Sequence, residues 1–183
     1  MKTLCLIRHA KSSWNHPEIN DIDRPLELRG EEDAVVVGKW LYEQTFKPDI
    51  ILSSPANRAI NTAKILAAQL HYDTESIIIE PSVYEASVED LLAVIKNVDD
   101  KYSTLLLVGH NPGLTWLANY LAEDHMINLH TCGVYCITFE TSTWQDITDA
   151  DSKHVFSDEP KQHYTETTVW HAIGENTHKE NAE

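Results

Sequence analysis

Glycine is scarce in this chain: six among 183 residues, with no Gly-x-Gly-x-x-Gly and no Walker-type run. That argues against a dinucleotide-binding or P-loop fold, where glycines let the backbone approach phosphates. Cysteine is scarce too, and its number is odd, at three. No disulfide framework follows. Cys132 and Cys136 lack a second Cys or His pair at zinc-site spacing, so no metal site is expected. Cys5 lies in an apolar run and reads as a small buried hydrophobe. Long hydrophobic runs are missing. The apolar run at the start is too short for a signal-peptide core or a membrane span, and the expected location is the cytoplasm. Positive charge is short as well: 14 Lys and Arg stand against 29 Asp and Glu, a net charge of −15. This balance argues against nucleic acid and anionic membranes as partners.

Against that background the arginines stand out. There are four, Arg8, Arg24, Arg29 and Arg58, all in the first third of the chain. A guanidinium offers a fixed fork of donors suited to phosphate and carboxylate oxygens. A few such groups gathered in an acidic chain suggest a local anion site. Arg29 reads instead as a helix-cap or surface residue, and Arg24 fits either role.

Two stretches share one pattern. The apolar run Leu4–Ile7 stops at Arg8-His9, and Leu105–Val108 runs through Gly109 into His110-Asn111-Pro112-Gly113. Each reads as a short buried strand with a histidine at its carboxyl end. In open α/β sheets, ligands bind in the crevice outside those ends. One histidine alone is most simply a satisfied loop or core residue. Two of them, one directly after an arginine, suggest a shared pocket. A third strand, 50–52, leads into Ser53-Ser54-Pro55-Ala56-Asn57-Arg58. Ser54 suits an N-cap and Pro55 the first helical position, which puts Arg58 in a helix's first turn, where free N–H groups already favour anions.

The remaining elements fall between these. Residues 11–25 are polar and loop-like, with Trp14 either packing or lining a pocket entrance. A helix is expected over 29–45, with Ala34, Val37 and Leu41 on its apolar face. A second carries Ile60, Ala63, Ala67 and Leu70. Ile77–Ile79 reads as a strand. Ser87 with Asp90 forms a capping box for a helix to about Asn97, and Pro112-Gly113 opens another. Residues 132–139 and 143–148 have β character, as a hairpin across Thr141-Ser142. Helices alternating with strands imply a three-layer α/β/α fold: a mainly parallel sheet with an antiparallel edge. One domain over 1–162 is expected, then an acidic, polar and flexible tail over 163–183. His154, His163, His171 and His178 fit no metal-site spacing and read as solvated.

Three separated motifs, Arg8-His9-Ala10-Lys11-Ser12, Ser53-Ser54-Pro55-Ala56-Asn57-Arg58-Ala59 and Gly109-His110-Asn111-Pro112, together resemble the histidine phosphatase superfamily, with its phosphoglycerate mutase-like fold. Ala10 stands where the commoner signature has glycine. Arg-His-Ala-Lys-Ser-Ser-Trp resembles the variant of small SixA-type phosphohistidine phosphatases. The resemblance covers about residues 2–140. It implies that His9 is the nucleophile that takes the phosphoryl group, that Arg8 and Arg58 clamp it, and that His110 hydrogen-bonds its oxygens. Glu85 resembles the proton donor of many members; water orientation and an ordinary exposed carboxylate are its other readings. Asn15 and Arg24 lie where some members place further phosphate contacts. No metal and no cofactor are implied.

Between Glu85 and His110 lie only residues 86–109, filled by one helix and one strand. Larger members of the superfamily carry a long insertion there that covers the site. An uncovered site suits a phosphorylated side chain on another protein, since lid closure serves to sequester small substrates. The expected activity is therefore hydrolysis of phosphohistidine on a phosphotransfer or carrier protein. A phosphatase or mutase acting on small phosphate esters is the alternative, and a non-catalytic phosphate-binding module is the third class.

Overall fold

The computed structural model describes residues 1–15, 17–122 and 128–164. Its sheet is built from β1 (Lys2–Arg8), β2 (Ile50–Ser53), β3 (Ile78–Ile79), β4 (Thr104–Gly109), β5 (Val134–Phe139) and β6 (Ser152–Asp158). The strand order is β3-β2-β4-β1-β5-β6. Pairings among the first four strands are parallel, and β5 and β6 add an antiparallel edge. Helices α1 (Leu28–Glu43), α2 (Asn57–Gln69), α3 (Val88–Lys96) and α4 (Gly113–Ala122) complete the described helices.

Successive strand side chains point to opposite faces, and here both faces are covered. Cys5, Ile7, Ile51, Leu106 and Val108 pack against Ala34, Val37 and Leu41 of α1 and Ala59, Ala63 and Leu66 of α2. Leu4, Leu6, Leu52, Leu105 and Leu107 pack on the other side against Leu91 and Ile95 of α3 and Leu114, Leu117 and Leu121 of α4. This is the expected three-layer α/β/α arrangement. Burying each such Leu or Ile contributes roughly 1.5–3 kcal/mol. Because β1, β2 and β4 are adjacent and parallel, Arg8 lies in register with Gly109 and Ser53 with Val108. The three motif-bearing strand ends therefore emerge side by side.

Several local expectations need correction. Residues 143–148 form no strand. Trp144 and Ile147 are buried in the core instead, and the Trp144 indole N–H donates to the Tyr102 carbonyl at 2.9 Å. The partner of β5 is β6, a polar edge strand whose residues are largely exposed, so it carries no hydrophobic alternation to read. Ser54 is not an N-cap. Ala56 takes that place with extended backbone, and the Ser54 hydroxyl accepts the Ala56 N–H at 3.2 Å. Helix α1 stops at Glu43, shortly before Thr45, which has φ 58°. The Ser87–Asp90 capping box forms as expected. His154 stacks on Tyr135, with ring centroids 4.5 Å apart, and His163 pairs with Asp158. His171, His178 and the rest of the expected tail beyond Tyr164 lie outside the described residues. No helix among the described residues is long and apolar enough to cross a membrane.

Candidate active site

The chain after β1 is bolted down on both sides. The His9 N–H donates to the Gly109 carbonyl at 3.0 Å, and the Cys132 N–H donates to the Arg8 and His9 carbonyls at 3.0 and 3.2 Å. The Ala10 N–H donates to the Thr62 hydroxyl of α2 at 3.0 Å, and that hydroxyl donates to the Arg58 carbonyl at 2.7 Å. Loop 11–13 is tied to the start of α1 by Ser13 N–H to Pro25 and Glu27 N–H to Lys11, at 2.9 Å each. Gly30 makes this approach possible: a Cβ there would meet the Lys11 carbonyl oxygen at 2.1 Å.

These anchors bring Arg8, His9, Arg58 and His110 together. His9 Nδ1 lies 2.8 Å from the Ala10 carbonyl oxygen, which can only accept. The hydrogen therefore sits on Nδ1, and Nε2 carries the lone pair. Arg58 Nε lies 3.3 Å from that Nε2, and the His9 and His110 ring centroids are 5.1 Å apart. His110 Nε2 is hydrogen-bonded to the Ser54 hydroxyl at 2.7 Å. Arg8 donates from one terminal nitrogen to the Leu129 carbonyl at 3.1 Å. Among the described residues its buried Nε has no hydrogen-bond partner, and neither has the buried Nδ1 of His110.

The electrostatics keep both rings neutral. Burial pushes His9 down to about 4, aided by the positive fields of Arg58, Arg8 and Arg24 and opposed by its hydrogen bond to Ala10. Burial, His9 and the arginines push His110 down to about 3, against the raising effect of Asp21. At neutral pH the site thus presents a deprotonated imidazole nitrogen among guanidinium donors. That arrangement attracts an anion and can attack it.

Not every expected residue joins this centre. Arg24 reaches it through other side chains: Nε donates to the Ser13 carbonyl at 3.0 Å and one terminal nitrogen to the Ser12 hydroxyl at 2.6 Å. Trp14 lies over Arg24, with the guanidinium carbon 3.3 Å from the ring centroid, and is 75% exposed. Asn15 is exposed, and its backbone N–H donates to the Ser13 hydroxyl at 3.1 Å. Glu85 is exposed on a bend with φ 54°, next to Tyr84, whose ring meets His110 edge-on at 5.5 Å. Arg29 pairs with Asp33 at 3.0 Å and lies over the Tyr164 ring, away from the site.

Sequence reasoning passed over Asp21, Ser54 as a site residue, and Tyr84. Asp21 receives Arg58 at 2.9 Å, Arg24 at 2.9 Å and the Tyr84 hydroxyl at 2.7 Å. The i,i+3 spacing of Asp21 and Arg24 was the available signal, hidden in a loop without periodicity.

Two neutral histidines and two guanidinium groups gathered at the carboxyl ends of parallel strands form a site whose chemistry suits a phosphoryl group. The family model for branch 1 of the histidine phosphatase superfamily matches residues 4–92, and the chain belongs to that family. It is 33% identical over 153 residues to an uncharacterised chloroplast protein of Arabidopsis thaliana, spanning 79% of this chain and 70% of the relative. Its fold matches the protein histidine phosphatase SixA complexed with tungstate at TM-score 0.75 and 17% identity, covering 88% of this chain and 99% of that one. A SixA-type protein of Agrobacterium tumefaciens matches at TM-score 0.74 and 23% identity, covering 87% and 98%. The chain is thus a histidine phosphatase in family and SixA-like in fold.

Proposed function

We propose that this chain hydrolyses phosphohistidine on a partner protein, through a covalent phosphohistidine on His9. The supporting observation is the His9 ring: Nδ1–H committed to Ala10, Nε2 bare, and Arg58 Nε 3.3 Å away. In the first step Nε2 forms a bond to phosphorus while the bond to the substrate's imidazole nitrogen breaks, and that nitrogen takes up a proton passed from solvent through Glu85, so that a neutral imidazole leaves. Charge spreads over the three phosphoryl oxygens, where the free donors of Arg8 and Arg58, with His110, face it. Water then cleaves the phosphoenzyme, releasing orthophosphate and a neutral His9. Dividing the reaction lowers each barrier, as in covalent catalysis generally. Glu85, beside Tyr84 at the rim, is the carboxylate assigned to proton transfer. Arg24 acts through Ser12, Ser13 and Asp21, and Asn15 supplies an exposed amide at the entrance.

The choice of a protein substrate rests on access. Residues 86–109 are taken up by α3 and β4, which pack into the body of the fold. Arg8, His9 and His110 each keep part of their surface in solvent. Three buried, unpaired cysteines fit the reducing cytoplasm expected for such a partner. The test is phosphate release from a histidine-phosphorylated carrier protein, run beside a panel of small phosphate esters, with the phosphoenzyme trapped by acid-labile ³²P label. Fast release from the protein with poor ester turnover is expected. Fast ester turnover with an untouched phosphoprotein would move the assignment to metabolites.

A further inference from the structure

Both terminal nitrogens of Arg58 are held by Asp21. Its guanidinium donates to the Asp21 carbonyl at 2.6 Å through one terminal nitrogen and to the Asp21 carboxylate at 2.9 Å through the other. A guanidinium has five N–H groups in a plane. Fixing one hydrogen on each terminal nitrogen removes rotation of that plane and leaves Nε–H aimed at His9 Nε2, with two hydrogens free for phosphoryl oxygens. The same Asp21 oxygen that receives Arg58 also receives the Tyr84 hydroxyl at 2.7 Å, and its other oxygen receives Arg24 at 2.9 Å. Tyr84 in turn sets its ring against His110. Asp21 is thus the single group shared by three side chains that surround the two histidines. It sits on a short 3-10 turn, Asp21–Asp23, tied to α2 by the Asn57 amide donating to the Asp23 carbonyl at 3.1 Å.

We infer that Asp21 is a positioning residue, which sets the angle at which Arg58 addresses His9 and at which Tyr84 faces His110. The inference rests on the phosphatase reading for its kinetic consequence, but not for its geometry. Burial works against the Asp21 charge; the hydrogen bonds from Tyr84, Arg24 and Arg58 more than offset it, so the carboxylate titrates well below its usual range. It therefore acts as a fixed anion that orients cations and not as a proton donor at neutral pH. A carboxylate this close to a phosphoryl site repels substrate slightly. The loss on its removal should accordingly fall on kcat and leave KM unchanged or lower.

The experiment compares wild type, Asp21→Ala, Asp21→Asn, Arg58→Ala and the Asp21→Ala/Arg58→Ala double variant. The first readout is kcat and KM for phosphate release from the histidine-phosphorylated carrier. The second is the ¹⁵N chemical shift of the His9 ring in the substrate-free protein. Asp21→Ala should lower kcat about 10- to 100-fold, Asp21→Asn should recover part of it, and in the Arg58→Ala background Asp21→Ala should cost less than about 3-fold. The His9 shift of Asp21→Ala should move toward that of Arg58→Ala. An equal kcat loss in both backgrounds, or an unmoved His9 shift, would overturn the positioning role. If wild type turns over no phosphorylated substrate, the functional reading fails while the ring shift still decides on Asp21. Should Asp21→Ala not fold, the same comparisons run with Asp21→Asn.

Discussion

Strand β1 carries a cation at each end, Lys2 buried and Arg8 half-buried, and the fold treats the two in opposite ways. At its start Lys2 is 2% exposed, and its ammonium group is fully engaged. It donates to the Asp100 and Tyr102 carbonyls at 2.7 and 2.8 Å, lies 3.7 Å from the Asp100 carboxylate, and sits 5.3 Å from the Trp144 ring centroid. At the other end Arg8 spends one donor on Leu129, and among the described residues its buried Nε and the buried Nδ1 of His110 have no hydrogen-bond partner. Buried polar groups are nearly always satisfied, and each exception costs roughly 1–3 kcal/mol. Burial alone therefore does not mark function here. The satisfied cation belongs to the scaffold, whereas under the proposed function Arg8 would offer its spare donor to an anion.

Substitutions should separate the two ends cleanly. The largest effect is expected from His9→Ala, which removes the proposed nucleophile. Turnover of the phosphorylated carrier should fall by about 10⁴-fold or more while the thermal midpoint stays near that of wild type. Wild-type turnover in that variant would remove His9 from the mechanism. Arg58→Ala deletes preorganised charge and not the nucleophile, so a loss of about 10²- to 10³-fold is expected in the same assay. At the satisfied end the outcome inverts. Lys2→Met keeps an apolar chain of similar length but takes the ammonium donor from the Asp100 and Tyr102 carbonyls, of which Tyr102 retains the Trp144 indole N–H. It should cost about 2–4 kcal/mol in denaturant unfolding with kcat unchanged. A Lys2→Met protein of full stability and impaired turnover would erase the distinction.

The sequence disclosed the unsatisfied end far better than the satisfied one. Arg8-His9, Arg58 and Gly109-His110 are legible because each follows a short apolar run that can only be a buried strand. Parallel strands then force their ends together. Lys2 gives no such signal, since its partners are backbone carbonyls about 100 residues away. Asp21 was illegible for a related reason. It lies in a loop that follows no period, and its meaning depends on Arg58 and Tyr84 arriving from other elements. Strand β6 escaped because an edge strand with most side chains in solvent has no apolar alternation, whereas Trp144 and Ile147 look strand-like yet fill the core. Local pattern reveals what a segment buries. It does not reveal what distant segments bring to it.

The smallest expected effect tests the electrostatics directly. His9 and His110 have midpoints of about 4 and 3 in the folded protein, against about 6.5 for an ordinary histidine. A group whose folded value is depressed binds protons more readily when unfolded. Stability must therefore be full above about pH 6.5 and fall as the pH drops toward 4, because the unfolded chain gains protons that the native site refuses. Between pH 7 and pH 6 the loss should be about 1 kcal/mol or less for each histidine. Denaturant unfolding at both pH values, on wild type and on a His9→Ala/His110→Asn variant, isolates this term: the wild type should lose stability on acidification more steeply than the variant. ¹H NMR of the ring protons should place the native midpoints near 4 and 3. Equal slopes in the two proteins, with ring protons titrating near 6.5, would mean that the rings are charged at mildly acidic pH and that His9 owes its reactivity to something other than a buried, neutral ring.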